Sequence, residues 1–308
     1  MLTLFFGKSR PVNYLLVAAF MVLVFLVYVA LSGKLFLSIT DFFNQVLMLL
    51  LFVFSMLLAD FITRKNDLTR KNTFVIFFYA ALCAMFPDTF LKPNVLLAHF
   101  FVLLALRRII SLKTKKDTPK KIFDAALWIS VASCFDFWAF AFIIVLYVNI
   151  VFEAGESYKH YFIPFVSFAA VIMLTNVYTL FFQNAFYLPI DWMGTTGFDF
   201  SHYNSFSMLA PLSFLLTLIL WMTGSYFSKI NQFSKKSIQS TRLILVGIAT
   251  AIVIILFSPQ KSGSELVYLA FPLAVFTSNF VELPDEKFFK EILLWVFLAM
   301  PFAVFFLR

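Results

Sequence analysis

Long apolar runs recur along this sequence, and they constrain its fold more than any other feature. A membrane-spanning helix needs about 20 apolar residues. Four runs reach that length: Val12–Leu31, Phe42–Ile62, Phe162–Phe182 and Leu209–Phe227. Three shorter runs are also long enough to be spans: Leu243–Phe257, Leu266–Val281 and Ile292–Leu307. Because 62% of the residues are hydrophobic and only 13% are charged, against about 25% in soluble domains, the surroundings must be lipid.

Two further stretches are typical of hairpins whose arms are short for a bilayer. The first joins Thr73–Phe86 to Val95–Ile110, and the second joins Ile122–Phe135 to Trp138–Phe152. A 14-residue arm covers about 21 Å of a hydrocarbon core that is about 30 Å thick. We therefore expect each tip to lie below the membrane surface, where irregular backbone must be buried in protein or line a water-filled cavity.

Basic residues are sorted between the two sides that alternating spans define. If each short hairpin crosses the membrane and returns, 20 of the 24 basic residues fall in loops on one side. The other four are Lys34, Lys92, Lys261 and Arg308. This bias follows the positive-inside rule and predicts that the N-terminus is inside, with a bacterial inner membrane as the expected location. The same sorting explains the net charge of +8 without a nucleic-acid partner.

These patterns predict an all-α protein, a polytopic transmembrane helical bundle. We expect about ten membrane segments, including the two short hairpins, in one integral membrane domain that covers residues 1–308. The first run is too long for a typical signal-peptide core, so we expect an uncleaved first span. Membrane lipids are the first partners that such a protein would have.

Each hairpin tip carries an acidic residue. The first tip reads P-D-T-F-L-K-P, with Asp88 and Lys92 between two prolines that end or restrict helices, and the second reads S-C-F-D-F-W, with Asp136. Ionisable residues inside a membrane are costly to bury and mark functional sites by default. Either these acids lie at the outer headgroup level without a special role, or they face a cavity that is open to the outer side.

Other polar residues extend this candidate site. His99 lies inside an apolar run, where it would either hydrogen-bond a backbone carbonyl or approach the first tip to contact phosphate or transfer a proton. The outer stretch Tyr187–Ser207 contains Asp191, Asp199 and His202 among aromatic residues, and it suits an interfacial loop or a substrate cover.

The remaining signals limit the chemistry. The sequence contains no ATP-binding loop, zinc-protease motif or nucleophile elbow, and the spacing of its acids predicts no metal site, so a cofactor stays unknown. Asp60, four residues before Arg64, has the spacing of a structural ion pair at a helix end.

Two stretches resemble an uncharacterised protein family. They are S-L-K-T-K-K through F-D-A-A-L-W-I-S-V-A-S-C-F-D-F-W, and S-P-Q-K-S-G-S-E-L-V-Y-L-A-F-P-L-A-V-F. The family comprises polytopic inner-membrane proteins of Bacteroidota with a domain of unknown function, and the likeness covers most of the chain. In architecture the chain is also similar to GT-C membrane glycosyltransferases and O-antigen polymerases, which have about ten helices, short hairpins and outward-facing acids.

The architectural likeness implies an enzyme that handles a polyprenyl-phosphate-linked sugar in envelope glycan assembly. Asp88 or Asp136 would be the general base, Asp41 a second acid, and Lys92 and His99 the phosphate contacts. The GT-C pattern places its catalytic acid in a sizeable first outer loop, whereas here that loop is short and ends at Asp41. Two alternatives stay open: a transporter or flippase with an outward-facing polar cavity, and a non-catalytic subunit of an envelope complex with a protein partner.

Overall fold

The computed structural model describes most of the chain, and everything it describes is helix, turn or coil. The described residues are 2–33, 38–155, 157–186, 196–228, 235–259, 261–283 and 287–307, and no strand occurs among them. Eight of the described helical segments are long and apolar enough to cross a membrane. The chain is therefore an all-helical, multi-pass membrane protein.

Twelve α-helices form the described part of the chain. In order they are α1 (Leu2–Phe6), α2 (Pro11–Leu31), α3 (Ile39–Lys65), α4 (Phe74–Met85), α5 (Pro93–Ile110), α6 (Thr118–Phe135), α7 (Ile143–Glu153), α8 (Lys159–Gln183), α9 (Phe206–Ser228), α10 (Lys235–Phe257), α11 (Val267–Val281) and α12 (Lys287–Phe306). Proline begins α2 and α5, where its missing N–H costs no hydrogen bond.

Both predicted hairpins break at their acidic tips. Between α4 and α5 the chain forms a 3₁₀ turn, Pro87–Leu91, and between α6 and α7 it forms another, Phe137–Phe142. The return arm of the first hairpin is longer than the sequence predicted, because α5 continues into a 3₁₀ turn and the stretch Pro93–Thr114 has the length of a span. The descending arm α4 is short, with 12 residues.

The core is built around α4 and α11. Every residue of α4 is buried, and so are all residues of α11 except Asn279 and Phe280. These two helices pack against each other, and α2, α3 and α12 surround α4. A second layer, α5 with α6 and α8, packs beside them, and α8 is the most exposed of the candidate spans. A short helix can be wholly buried in this way because its neighbours, and not lipid, cover all its sides.

Polar side chains gather at the two ends of the bundle. We call one the hairpin end: it holds both tips, the C-terminal turn of α2, and residues 196–205 and 258–266. We call the other the basic end: it holds residues 63–73 and 107–121 and the starts of α2 and α10, and most of the basic residues lie there. In α2, Asn13 belongs to the basic end and Tyr28 to the hairpin end. At about 1.5 Å per residue, the two positions are separated by about 22 Å along the helix axis.

Candidate functional site at the hairpin end

Three acidic residues at the hairpin end each accept a hydrogen bond from a tyrosine hydroxyl of another element. The pairs are Tyr28 with Asp88 (2.5 Å), Tyr268 with Asp136 (2.8 Å), and Tyr203 with Glu265. All three tyrosines are buried, as is Glu265, while the two aspartates are partly exposed. A tyrosine thus holds the acid of each of three turns, and we call these three pairs the acid–tyrosine cluster.

Local backbone geometry places each acid. Asp88 follows Pro87 in the first turn of a 3₁₀ helix. Asp136 ends α6 and caps the next turn, because its Oδ1 accepts the backbone N–H of Trp138 at 3.2 Å. Glu265 lies in the 3₁₀ turn that leads into α11.

Gly263 lets the loop before α11 approach the first tip. Its φ of +89° is in the left-handed region that favours glycine. A Cβ at this position would lie 2.0 Å from Cε of Met208 and 4.0 Å from Oδ2 of Asp88. A side chain here would therefore strain the backbone and displace the flexible end of Met208, whereas 4.0 Å to Asp88 is an ordinary contact. The positive φ is the reason that this turn favours glycine.

A pocket of about 380 Å³ lies between the two tips and the loop before α11. Its polar wall is formed by Lys92, Asn94, Asp136, Glu265, Ser258 and Ser264. Lys92 donates a hydrogen bond from Nζ to Oγ of the neighbouring Ser262 at 2.8 Å. The lysine of the first tip and the acid of the second therefore face one cavity. Cation and carboxylates in one pocket can bind a ligand that carries both an anionic group and hydroxyl or amino donors.

Residues 196–205, which we call the cover segment, pack on the loop that lines this pocket. A Cβ on Gly197 would lie 2.4 Å from the carbonyl oxygen of Pro259, so the two backbones are in close contact. Phe198 packs edge-on against Phe257 at 5.8 Å between ring centroids. Burial, and next the charge of Glu265, raise the pKa of Tyr203 well above its usual range, so this tyrosine stays a hydrogen-bond donor.

Lys261, a second cation at this end, has a structural position. Its Nζ donates to the carbonyl oxygens of Ile255 (2.5 Å) and Leu256 (2.7 Å), and it lies over the ring of Phe200 at 4.9 Å. These carbonyls belong to the last turn of α10, where a cation complements the helix dipole. Burial lowers the pKa of Lys261.

His99 lies in the core behind the pocket. It is 1% exposed, and its Nε2 is 2.9 Å from the hydroxyl of Tyr79. Its ring meets that of Tyr268 edge-on at 5.9 Å, and Tyr268 in turn holds Asp136. Its Nδ1 is buried and has no hydrogen-bond partner among the described residues. Tyr268 thus lies between His99 and Asp136 of the second tip, and His99 is not among the residues that line the pocket.

The other predicted residues lie apart from the pocket wall. Asp41, in the first turn of α3, accepts a hydrogen bond from Ser38 at 2.7 Å and lines a neighbouring groove. Asp199 and His202 are exposed on the cover segment, and Asp199 accepts the N–H of Ser201. Asp191 lies outside the described residues.

Four residues of the cluster were not predicted from sequence. Glu265 directly precedes the predicted span Leu266–Val281, and no pattern in the sequence distinguishes it as a site residue. The tyrosines Tyr28, Tyr203 and Tyr268 resemble the aromatic residues that any membrane protein carries near its interfaces. Their common signal, a tyrosine paired with each of Asp88, Asp136 and Glu265, becomes visible only when the helices are placed side by side.

Comparison with known proteins gives one match. A model for a family of unknown function, DUF6427, matches residues 1–308, the full length of the sequence. The chain matches no curated protein and no solved structure.

Proposed function

Since the chain belongs to DUF6427, a family of unknown function, we propose a function from the geometry of the hairpin end. The protein, a single integral membrane domain, binds the polar headgroup of a polyprenyl-phosphate-linked sugar and acts on it in envelope glycan assembly. The observation that supports this best is the shared pocket, which places Lys92 across from Asp136 and Glu265 at the end of the apolar bundle.

The two kinds of charge suit the two parts of such a headgroup. Lys92 offers ammonium donors to phosphate oxygens, and charge-assisted hydrogen bonds of this kind are among the stronger ones. Asp136 and Glu265 offer carboxylate acceptors to sugar hydroxyls. Neither a free fatty chain nor an inorganic anion would use both sets of groups.

In the enzymatic form of this proposal, Asp136 is the general base. It removes the proton from an acceptor hydroxyl as that oxygen bonds to the sugar carbon, and the lipid phosphate leaves against Lys92. The hydroxyl of Tyr268 and the N–H of Trp138 orient the carboxylate for this step. Asp88, held by Tyr28, is the second candidate base, and Asp41 is a more distant acid at the edge of the site.

We also propose an inner-membrane topology with the N-terminus inside. The distribution of basic residues between the two ends supports it, as does the position of both acidic tips at the end opposite the basic loops. With α4 and α6–α7 crossing as parts of hairpins, about ten segments traverse the membrane.

The topology is tested with single cysteines placed at Ser262 or at Lys116, in a protein whose Cys83 and Cys134 have been replaced. A membrane-impermeant maleimide added to intact spheroplasts should label the cysteine at position 262 and not the one at position 116.

The function is tested by neutralising the tip acids in cells. Asp136→Asn and Asp88→Asn should deplete the surface glycan and cause its lipid-linked precursor to accumulate, with protein levels unchanged. Asp124→Asn is the matched control, because Asp124 forms a half-exposed ion pair with Arg108 at the basic end. Unchanged glycan and precursor profiles in both tip variants would overturn the proposal. A defect in precursor translocation without loss of transfer would instead support the flippase alternative.

A further inference from the structure

An apolar groove of about 410 Å³ adjoins the headgroup pocket. Phe25 and Val29 of α2 form one wall, Met48 and Leu51 of α3 form the other, and the first hairpin tip closes the end. Leu47, at its outer edge, is 60% exposed, so the groove opens to the surface that faces lipid.

The groove and the pocket share a wall. Leu91 and Pro93 line both cavities, one on each side of the tip that carries Lys92. The floor of the groove is fixed by Phe90, whose ring centroid lies 4.7 Å from that of Phe52 and 5.5 Å from that of Phe25. A molecule with its head in the pocket could pass over this wall with no gap between polar and apolar surfaces.

We infer that this groove binds the first part of the hydrocarbon chain of a lipid phosphate whose headgroup occupies the pocket. The inference rests on the proposed function, and it adds a chain-binding site with one occupant, a single isoprenoid chain. The remainder of that chain would leave past Leu47 into the bilayer. The polar residues at the rim, Asp41, Asn44 and Gln45, then mark the level of the headgroups.

A second apolar groove supplies an internal control. It has about 340 Å³ and lies on the same helix α2 near the basic end, lined by Val17, Phe20 and Ala80 among others. Every residue that lines it is apolar, and it adjoins no acid–tyrosine cluster. Ordinary annular lipid should enter both grooves alike, whereas a lipid held by its headgroup in the pocket should favour the first.

The test uses photo-crosslinking of the purified full-length protein with farnesyl phosphate that carries a diazirine in its first isoprene unit. Peptide mapping should find label on α2 near Val29 and on α3 near Met48. Lys92→Met should lower this labelling about tenfold, equivalent to about 1.4 kcal/mol of lost binding. Lys116 is an exposed lysine at the basic end, so Lys116→Met should leave the labelling unchanged.

Blocking the groove gives an independent arm. Val29→Trp should fill the first groove and abolish labelling there. Val17→Trp is the matched control, because Val17 is a buried valine of the same helix that lines the second groove, and it should not affect labelling of the first. If either tryptophan variant fails to fold, competition on the wild type decides: unlabelled farnesyl phosphate should remove the label, and inorganic phosphate or farnesol should not.

The outcomes separate the two proposals. Equal labelling of both grooves, insensitive to Lys92→Met, would overturn the chain site and indicate annular lipid. Lys92-dependent binding with label confined to the pocket or to other helices would overturn the chain site and leave the proposed function standing. Binding that is independent of Lys92 and displaced by farnesol alone would contradict the proposed function.

Discussion

The two ends of the bundle satisfy their acidic residues in different ways. At the basic end Asp60 forms an ion pair with Arg64 at 2.7 Å, and Glu153 lies 3.6 Å from Arg242. Glu282 there accepts the backbone N–H of Arg70 at 2.9 Å. At the hairpin end Asp88, Asp136 and Glu265 instead receive tyrosine hydroxyls. Acids at the basic end thus have cationic or backbone partners, and Asp60 accepts the hydroxyl of Tyr14 as well. The three acids of the cluster share a tyrosine hydroxyl as donor, and Asp136 also accepts the backbone N–H of Trp138.

We interpret this difference as one between a structural role at the basic end and the proposed binding role at the hairpin end. A guanidinium partner compensates the charge of a carboxylate and fills its lone pairs, which leaves little for a ligand. A phenol orients the carboxylate but leaves its charge and most of its acceptor capacity in place. The basic end therefore holds helices together, whereas the hairpin end keeps oriented acceptors beside a cavity.

The largest expected effect concerns stability at the basic end. Asp60→Ala would leave Arg64 and Tyr14, whose hydroxyl donates to Asp60 at 2.8 Å, without their acceptor. We expect a loss of about 2–4 kcal/mol in the free energy of unfolding, because Asp60 is buried. Unfolding in mixed detergent measures it. Asp124→Ala, from the half-exposed pair with Arg108, should cost about 0–1 kcal/mol, and equal losses would refute the contrast.

The next effect concerns binding at the hairpin end. Asp136→Asn should weaken the binding of a farnesyl-phosphate-linked sugar about tenfold, because an amide replaces one carboxylate acceptor. Its unfolding midpoint should stay close to that of the wild type, since the amide oxygen of an asparagine can still accept the N–H of Trp138 while its NH2 donates to the hydroxyl oxygen of Tyr268. A variant that loses stability but not affinity would place Asp136 with the structural acids.

A smaller effect is the coupling within one acid–tyrosine pair. Tyr268→Phe should lower stability by about 1 kcal/mol, the typical net value of one hydrogen bond. Tyr268→Phe should also weaken ligand binding, because the carboxylate of Asp136 is then less well oriented. The losses of affinity from Tyr268→Phe and Asp136→Asn should be non-additive in the double variant, because both changes act on the same carboxylate. A double-mutant cycle on affinity measures this, and full additivity would contradict the positioning role of Tyr268.

The smallest effect concerns the cover segment. Tyr203→Phe removes the hydroxyl that holds Glu265, while the contact between Gly197 and Pro259 remains. Amide exchange in residues 196–205 should become about fivefold faster, as a loss of about 1 kcal/mol of local stability would give. No change in exchange would show that the backbone contact alone holds the segment.

Sequence reasoning could predict the helical class, both hairpins and the Asp60–Arg64 pair, because apolar length, proline position and i,i+4 spacing are local signals. It could also select Asp88, Lys92 and Asp136 as candidates, since charges in apolar runs are conspicuous. It could not identify Glu265 or the three tyrosines, whose partners are 60 to 132 residues away in the chain. It also underestimated the length of the first hairpin's return arm, because the 3₁₀ turn Ser111–Thr114 continues beyond the predicted end at Ile110 in a polar stretch that carries no apolar signal.

Ligand-induced thermal stabilisation distinguishes a hairpin end that binds a lipid phosphate from a basic end that stabilises the helical bundle. Farnesyl phosphate should raise the unfolding midpoint of the wild-type protein, since a ligand that binds only the folded state stabilises it. Asp60→Ala should begin at a lower midpoint and keep the full ligand-induced rise. Lys92→Met should begin near the wild-type midpoint and lose the rise. A rise that persists in Lys92→Met, or disappears in Asp60→Ala while that variant remains folded, would contradict the account.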